Sequence, residues 1–164
     1  MQGYTIRKVQ DSDAESVMAI FNHYVLNSFA AYPDSPLPLQ AFAMLKNLVR
    51  NECFYVAATD SSQVVGFAML KHFIPMKSFA LSSEVSYFVD ANHTGMGLGT
   101  LFFNQLLQDA KEQGVRTLLA SISSHNEQSI EFHRKHGFHI CGKLEKVGRK
   151  LDQDFDIIWM QKDI

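Results

Sequence analysis

Gly95, Gly97 and Gly99 stand at alternate positions in the run Val89-Asp90-Ala91-Asn92-His93-Thr94-Gly95-Met96-Gly97-Leu98-Gly99-Thr100. An alternating segment that reads as a strand precedes them, and an apolar-periodic segment that reads as a helix follows. Glycines so placed let the backbone turn its N–H groups toward one point. The following helix adds the positive end of its dipole. Together they form a site for phosphate or pyrophosphate. A P-loop would need Gly-Lys-Ser or Gly-Lys-Thr here, and the chain has neither. A dinucleotide fingerprint needs Gly-x-Gly-x-x-Gly early in a βαβ unit, whereas this spacing is Gly-x-Gly-x-Gly after several strands. The plainer alternative is a tight turn with no ligand, for which one glycine is enough.

The elements that must hold this loop follow from the apolar pattern. A first strand is expected over 3–9. Asp11-Ser12-Asp13 predicts an N-cap for a helix over 14–27, with Ile20, Phe21, Tyr24 and Val25 as its buried stripe. Pro33, Pro36 and Pro38 keep 28–38 irregular. A second helix is expected over 39–50, then strands over 53–59, 64–72 and 80–89. The third of these alternates, with Leu81, Val85, Tyr87 and Val89 against Ser82, Glu84 and Ser86. A helix over 98–113 ends at Gly114. A strand over 116–122, a short helix over 126–136 closed by Gly137, and strands over 138–147 and 155–160 complete the chain. The order is β-α-α-β-β-β-α-β-α-β-β. A meander with one βαβ crossover implies an α/β (α+β) fold with a mixed sheet, in one domain over 1–164.

The bulk properties agree with an ordinary globular domain. The chain has 164 residues, 46% of them hydrophobic and 20% charged, with a formal net charge of −2. No basic excess points to nucleic acid. No apolar run reaches the length of a membrane span, and the N-terminal stretch lacks a signal-peptide core, so no membrane partner and a cytoplasmic location are expected. Cys53 and Cys141 form no disulfide framework and fit a reducing compartment. Neither sits in a recognisable nucleophile setting. His133, His136, His139 and Cys141 do not keep one face, so no metal site is expected.

Thr94-Gly95-Met96-Gly97-Leu98-Gly99 resembles the acetyl-CoA loop of the GNAT superfamily of N-acetyltransferases. Gly97 and Gly99 fit its pattern; Thr94 stands where Arg or Gln is usual, and Met96 where Lys is frequent. Asn126 to Phe138, with Gly137-Phe138 at its end, resembles a later GNAT motif. Glu84-Val85-Ser86-Tyr87-Phe88-Val89, His133 before Gly137-Phe138, Val147-Gly148-Arg149-Lys150 leading to Asp156, and Phe21 to Ser28 look most like the phosphinothricin/methionine sulfone acetyltransferase family. The resemblance covers essentially the whole chain. It implies a centrally splayed sheet with helices on both faces, acetyl-CoA as co-substrate, a small amino-acid-like amine as acceptor, and a homodimer.

The resemblance also implies roles. Thr94, Gly95, Met96, Gly97, Leu98, Gly99 and Thr100 would hold the pyrophosphate. The loop carries no fixed cation, so a weaker grip on acetyl-CoA is expected, with the Thr94 or Thr100 hydroxyl assisting. Tyr87, Phe88 and Val89 would pair by backbone with the pantetheine arm. Asn126 is an N-cap or an arm contact, and Ser129 joins it. Glu84 would take the proton from the incoming ammonium, the alternative being a solvated strand glutamate. His133 stands where a Tyr often protonates the thiolate, the alternative being a packing histidine. The acceptor would meet Phe29 and Tyr32 in the proline-containing loop, Lys77 and Phe79 ahead of Glu84, and Lys150. Phe79 replaces a Tyr, and Asp154 replaces an aromatic ahead of Asp156. Direct attack on the thioester is expected. Peptide, protein or polyamine acetylation, or a silent acyl-CoA-binding domain, are the alternatives.

Overall fold

The strands form one seven-stranded sheet in the order β1-β2-β3-β4-β5-β7-β6. The structure, a computed structural model, describes residues 3–164; Met1 and Gln2, the start of the stretch searched for a signal peptide, lie outside the described residues. The strands are β1 (Tyr4–Lys8), β2 (Val49–Thr59), β3 (Val64–His72), β4 (Ser82–Val89), β5 (Thr117–Ser123), β6 (His139–Lys150) and β7 (Gln153–Asp163). The helices are α1 (Ala14–Asn27), α2 (Ala41–Leu48), α3 (Leu98–Glu112) and α4 (Glu127–Lys135). The mixed α/β order expected from the pattern is the order observed. None of the described helices is long and apolar enough to cross a membrane.

Alternation along β2 and β3 sends side chains to two cores. Tyr55, Ala57, Val65, Ala68 and Leu70 pack under Leu98, Phe102, Leu106 and Ala110 of α3. Phe54, Val56, Phe67 and Met69 pack under Val17, Phe21, Val25 and Leu45 of α1 and α2. In the second core Phe42, Phe54, Phe67, Phe88 and Phe21 form a run of ring contacts with centroids 5.1 to 5.9 Å apart. Many of the chain's thirteen phenylalanines are therefore core.

Four local expectations are corrected. α2 stops at Leu48 rather than running to 50, because Val49 turns extended and pairs with Lys71 of β3. Asn51 and Glu52 then take positive φ (43° and 58°) in a bulge, and β2 resumes at Phe54. The Asp13 carboxylate does not cap α1. It grips Arg7 at 2.7 and 2.8 Å and accepts from the Gln10 N–H at 2.8 Å. β4 begins at Ser82 because a 3-10 turn over Lys77–Phe79 occupies the chain before it.

Every strand contact is antiparallel except β4 with β5. That parallel ladder has three rungs, Ser82–Thr117, Ser83–Leu118 and Glu84–Leu119, and then stops. β4 continues to Val89 on β3, and β5 continues to Ser123 on β7. The sheet is thus open between the two strands beyond Glu84.

Candidate active site

The glycine loop follows the end of β4, beyond the point where the ladder to β5 stops. Gly95 and Gly97 have φ of 75° and 85°, a conformation that strains any side chain. Gly99 has a different reason: a Cβ there would lie 2.9 Å from the ring of Phe132 on α4. Two glycines thus shape the turn and the third lets α3 approach α4. Gly97 is the N-cap of α3, so the first N–H groups of this fifteen-residue helix face the loop.

A groove of about 710 Å³ runs from this loop along the opening. Thr94, Gly95, Gly97, Leu98, Gly99, Thr100, Tyr87, Phe88, Val89, Asn126 and Ser129 all line it. Met96 does not; its sulfur accepts from the Tyr4 hydroxyl at 3.0 Å, outside the groove. The hydroxyl protons expected to help are already committed. Thr94 donates to the Ala91 carbonyl at 3.0 Å. Where His136 is neutral, it donates Nδ1–H to the Phe132 carbonyl at 2.8 Å and its Nε2 accepts from Thr100 at 3.2 Å. Backbone N–H groups and the dipole remain, with one addition that the pattern did not reveal: Lys135, the one Lys or Arg among the lining residues.

A second cavity of about 230 Å³ adjoins the groove, sharing Ala30, Tyr87, Phe88, Asn126 and Ser129 with it. Glu84 lines this smaller cavity at the last rung before the strands part. Its carboxylate accepts from Lys71 Nζ at 2.9 Å. The loop after α1 forms one wall through Ala30, Ala31, Tyr32 and Pro33. Tyr32 donates to the Ser121 carbonyl at 3.1 Å, on the edge of β5 that lacks a strand partner, and its ring stacks on Phe155. Phe29 lines the larger groove, against His125 and Phe155.

Three expected acceptor contacts are not brought here. Lys77 is exposed on its 3-10 turn, and Phe79 packs against Phe73; neither lines either cavity. Lys150 is buried behind the wall, donating to the Ala31 carbonyl at 2.6 Å, so it anchors the loop rather than the substrate.

Asn126 caps α4, its side chain accepting from the Ser129 N–H at 3.2 Å, while also lining both cavities. Two turns on, His133 is 4% exposed. Its Nδ1 lies 2.8 Å from the Ser129 carbonyl, which can only accept, so Nδ1 carries the proton. Nε2 then holds a lone pair, buried and unpartnered among the described residues. Burial pushes the imidazole down to about 4, against the opposing Ser129 hydrogen bond. At neutral pH Nε2 of His133 is therefore an acceptor. The Tyr87 hydroxyl is also buried without a partner, and burial raises its pKa well above the ordinary value, so it keeps its proton. The two rings are 5.7 Å apart.

His133 makes acid stability testable. The folded protein keeps it neutral down to about pH 4, whereas the unfolded chain protonates it near 6.5. The unfolded state binds more protons between those values, so stability falls as pH drops from about 6.5 to about 4. The full effect is on the order of 3 kcal/mol. Urea midpoints at pH 7 and pH 5 should differ more in the wild type than in His133→Leu; equal differences would remove the assignment.

A family model described as the acetyltransferase (GNAT) family matches residues 17–138. The chain is 30% identical to an L-methionine sulfoximine/L-methionine sulfone acetyltransferase of Pseudomonas aeruginosa, over 98% of this chain and 94% of that protein. It is 33% identical to a ribosomal-protein-alanine N-acetyltransferase structure from Brucella melitensis, with a TM-score of 0.85, covering 98% and 99% of the two chains. A Salmonella typhimurium chain solved with its cofactor acetyl-CoA is 27% identical, with a TM-score of 0.87, covering 98% and 93%. Matched over most of its length, this chain belongs to the acetyltransferase (GNAT) family and is an N-acetyltransferase.

Proposed function

We propose that the protein transfers the acetyl group of acetyl-CoA to the primary amine of a small amino-acid-like molecule, by direct attack. The observation that carries this is the junction of the two cavities at the end of the β4–β5 ladder. The larger groove suits the co-substrate: the glycine loop, the α3 N-terminus and Lys135 offer donors and positive charge to the pyrophosphate. The unpaired edges of β4 and β5 offer backbone partners to the pantetheine amides. The smaller cavity suits the acceptor. Among the described residues its charged side chains are Lys71 and Glu84 alone, so its lining shows no acidic excess of the kind a polyamine would require.

In this reading the ammonium passes its proton to Glu84 and the free amine attacks the thioester carbonyl. The carbon–sulfur bond breaks with its electron pair on sulfur. A second proton leaves the nitrogen as the amide forms and neutralises the thiolate. The balance is ammonium plus acetyl-CoA to acetamide, CoA thiol and one released proton. The Tyr87 hydroxyl, which keeps its proton throughout, would hydrogen-bond the departing sulfur while the proton from nitrogen arrives.

The P. aeruginosa relative's name supports methionine sulfone and sulfoximine as probes, and the B. melitensis name supports an alanyl peptide N-terminus as the second reading. A thiol-release screen should find turnover with amino acids, methionine sulfone, methionine sulfoximine or phosphinothricin, and little with spermidine. Turnover confined to alanyl peptides would overturn the small-molecule reading. We place the reaction in the cytoplasm, supported by two free cysteines. The homodimer finds support in β6, an edge strand where Ile140, Leu144 and Val147 are about half exposed.

A further inference from the structure

The smaller cavity contains one cation and one anion, and they hold each other. Lys71 on β3 stands directly opposite Glu84 on β4. The two side chains are 20% and 18% exposed, with Nζ and Oε1 at 2.9 Å. A cross-strand ion pair on a sheet surface is ordinary and contributes little. This one differs in position. Both partners line the cavity, and Glu84 is the last residue of β4 on the β4–β5 ladder. Beyond them the wall turns apolar through Phe21, Leu45, Leu48 and Met69.

We propose that the Lys71–Glu84 pair receives an α-amino acid as its zwitterion, the substrate carboxylate taking Lys71 and the substrate ammonium taking Glu84. This rests on the small cavity being the acceptor site, as argued above. A zwitterion is the ligand whose insertion leaves the cavity's net charge unchanged and each of the two half-buried charges paired. A simple amine must instead compete with Lys71 for Glu84 and strand the lysine without a partner. The amino and carboxylate groups of an α-amino acid share one carbon, so both reach the separated partners together. The exchange also frees the base. The substrate carboxylate draws Lys71 away from Glu84 as the ammonium arrives on it. Lys71 is thus a specificity residue, and the apolar wall favours an uncharged side chain.

The test is steady-state kinetics on the whole chain with L-methionine sulfone and its carboxamide, which keeps the amine and loses the negative charge. In the wild type kcat/KM for the acid should exceed that for the amide by about 10- to 100-fold, the usual span for a charge-assisted contact. Lys71→Met should bring the ratio close to unity, mainly through the KM of the acid, and Lys71→Arg should restore the preference. A purely structural lysine would lower both substrates in step and keep the ratio. Equal wild-type rates on acid and amide, or a ratio that survives Lys71→Met, would overturn the proposal and leave the acceptor reading standing. Turnover of neither, with alanyl peptides still acetylated, would remove both.

Discussion

Glu84→Gln should lower kcat at pH 7 by about 100- to 1,000-fold, the range of a lost general base. Acetyl-CoA affinity should hold, because Glu84 lines only the smaller cavity. The amide keeps the size of the carboxylate and cannot take a proton. The deficit should narrow as pH rises and more amine arrives already deprotonated. Lys71, 20% exposed, retains contact with water, so the fold should survive loss of its partner. Pre-steady-state acetyl transfer over a pH series measures the loss, and a titration of acetyl-CoA measures the binding. Wild-type turnover across that series would return Glu84 to the role of a strand glutamate.

The second large effect is expected at a residue that takes no part in proton transfer. Gly148 on β6 pairs with Phe155 on β7, and a Cβ at position 148 would lie 2.1 Å from that ring. The same ring stacks on Tyr32 and meets Phe29 edge-on, both with centroids 5.8 Å away. Gly148→Ala must therefore push Phe155 into the loop that walls the acceptor cavity. A stability loss of about 1–3 kcal/mol is expected from the overpacking. A raised KM for the amine should accompany it, because Tyr32 is displaced. Adding Phe155→Leu should recover part of the stability, and a double-mutant cycle on urea midpoints reads the coupling. Additive effects would show that the two positions do not press on each other.

What was legible in the sequence was what depends on local spacing. The order of elements, the loop around Gly95 and Gly97, the C-terminal stops at Gly114 and Gly137, and the irregular loop before α2 all follow from the nearest residues, and the structure has them. The parting of β4 from β5 is set by how far two distant strands stay in register, which no local pattern encodes. Residues whose roles depend on it were misplaced or unseen. The resemblance implies acceptor contacts for Lys77 and Phe79 ahead of Glu84, but the 3-10 turn carries them away. Lys71 sits near the end of a strand, where a lysine usually means solvent, and only its neighbour across the ladder places it in a cavity. Lys150 reads as a surface charge until the loop is seen to close over it. His133 was located by its motif, whereas its tautomer and its depressed basicity come from the Ser129 carbonyl and burial.

The three-rung seam between β4 and β5 also bears on how long the protein survives in a cell. A ligand arm lying in that slot acts as a surrogate strand, so its binding free energy becomes folding free energy. At a free concentration one hundred times its dissociation constant, that gain is about 2.7 kcal/mol. When acetyl-CoA runs low the sheet would lose this lacing and open more often to proteases. The abundance of the protein would then follow the supply of its own acetyl donor, with no dedicated regulator.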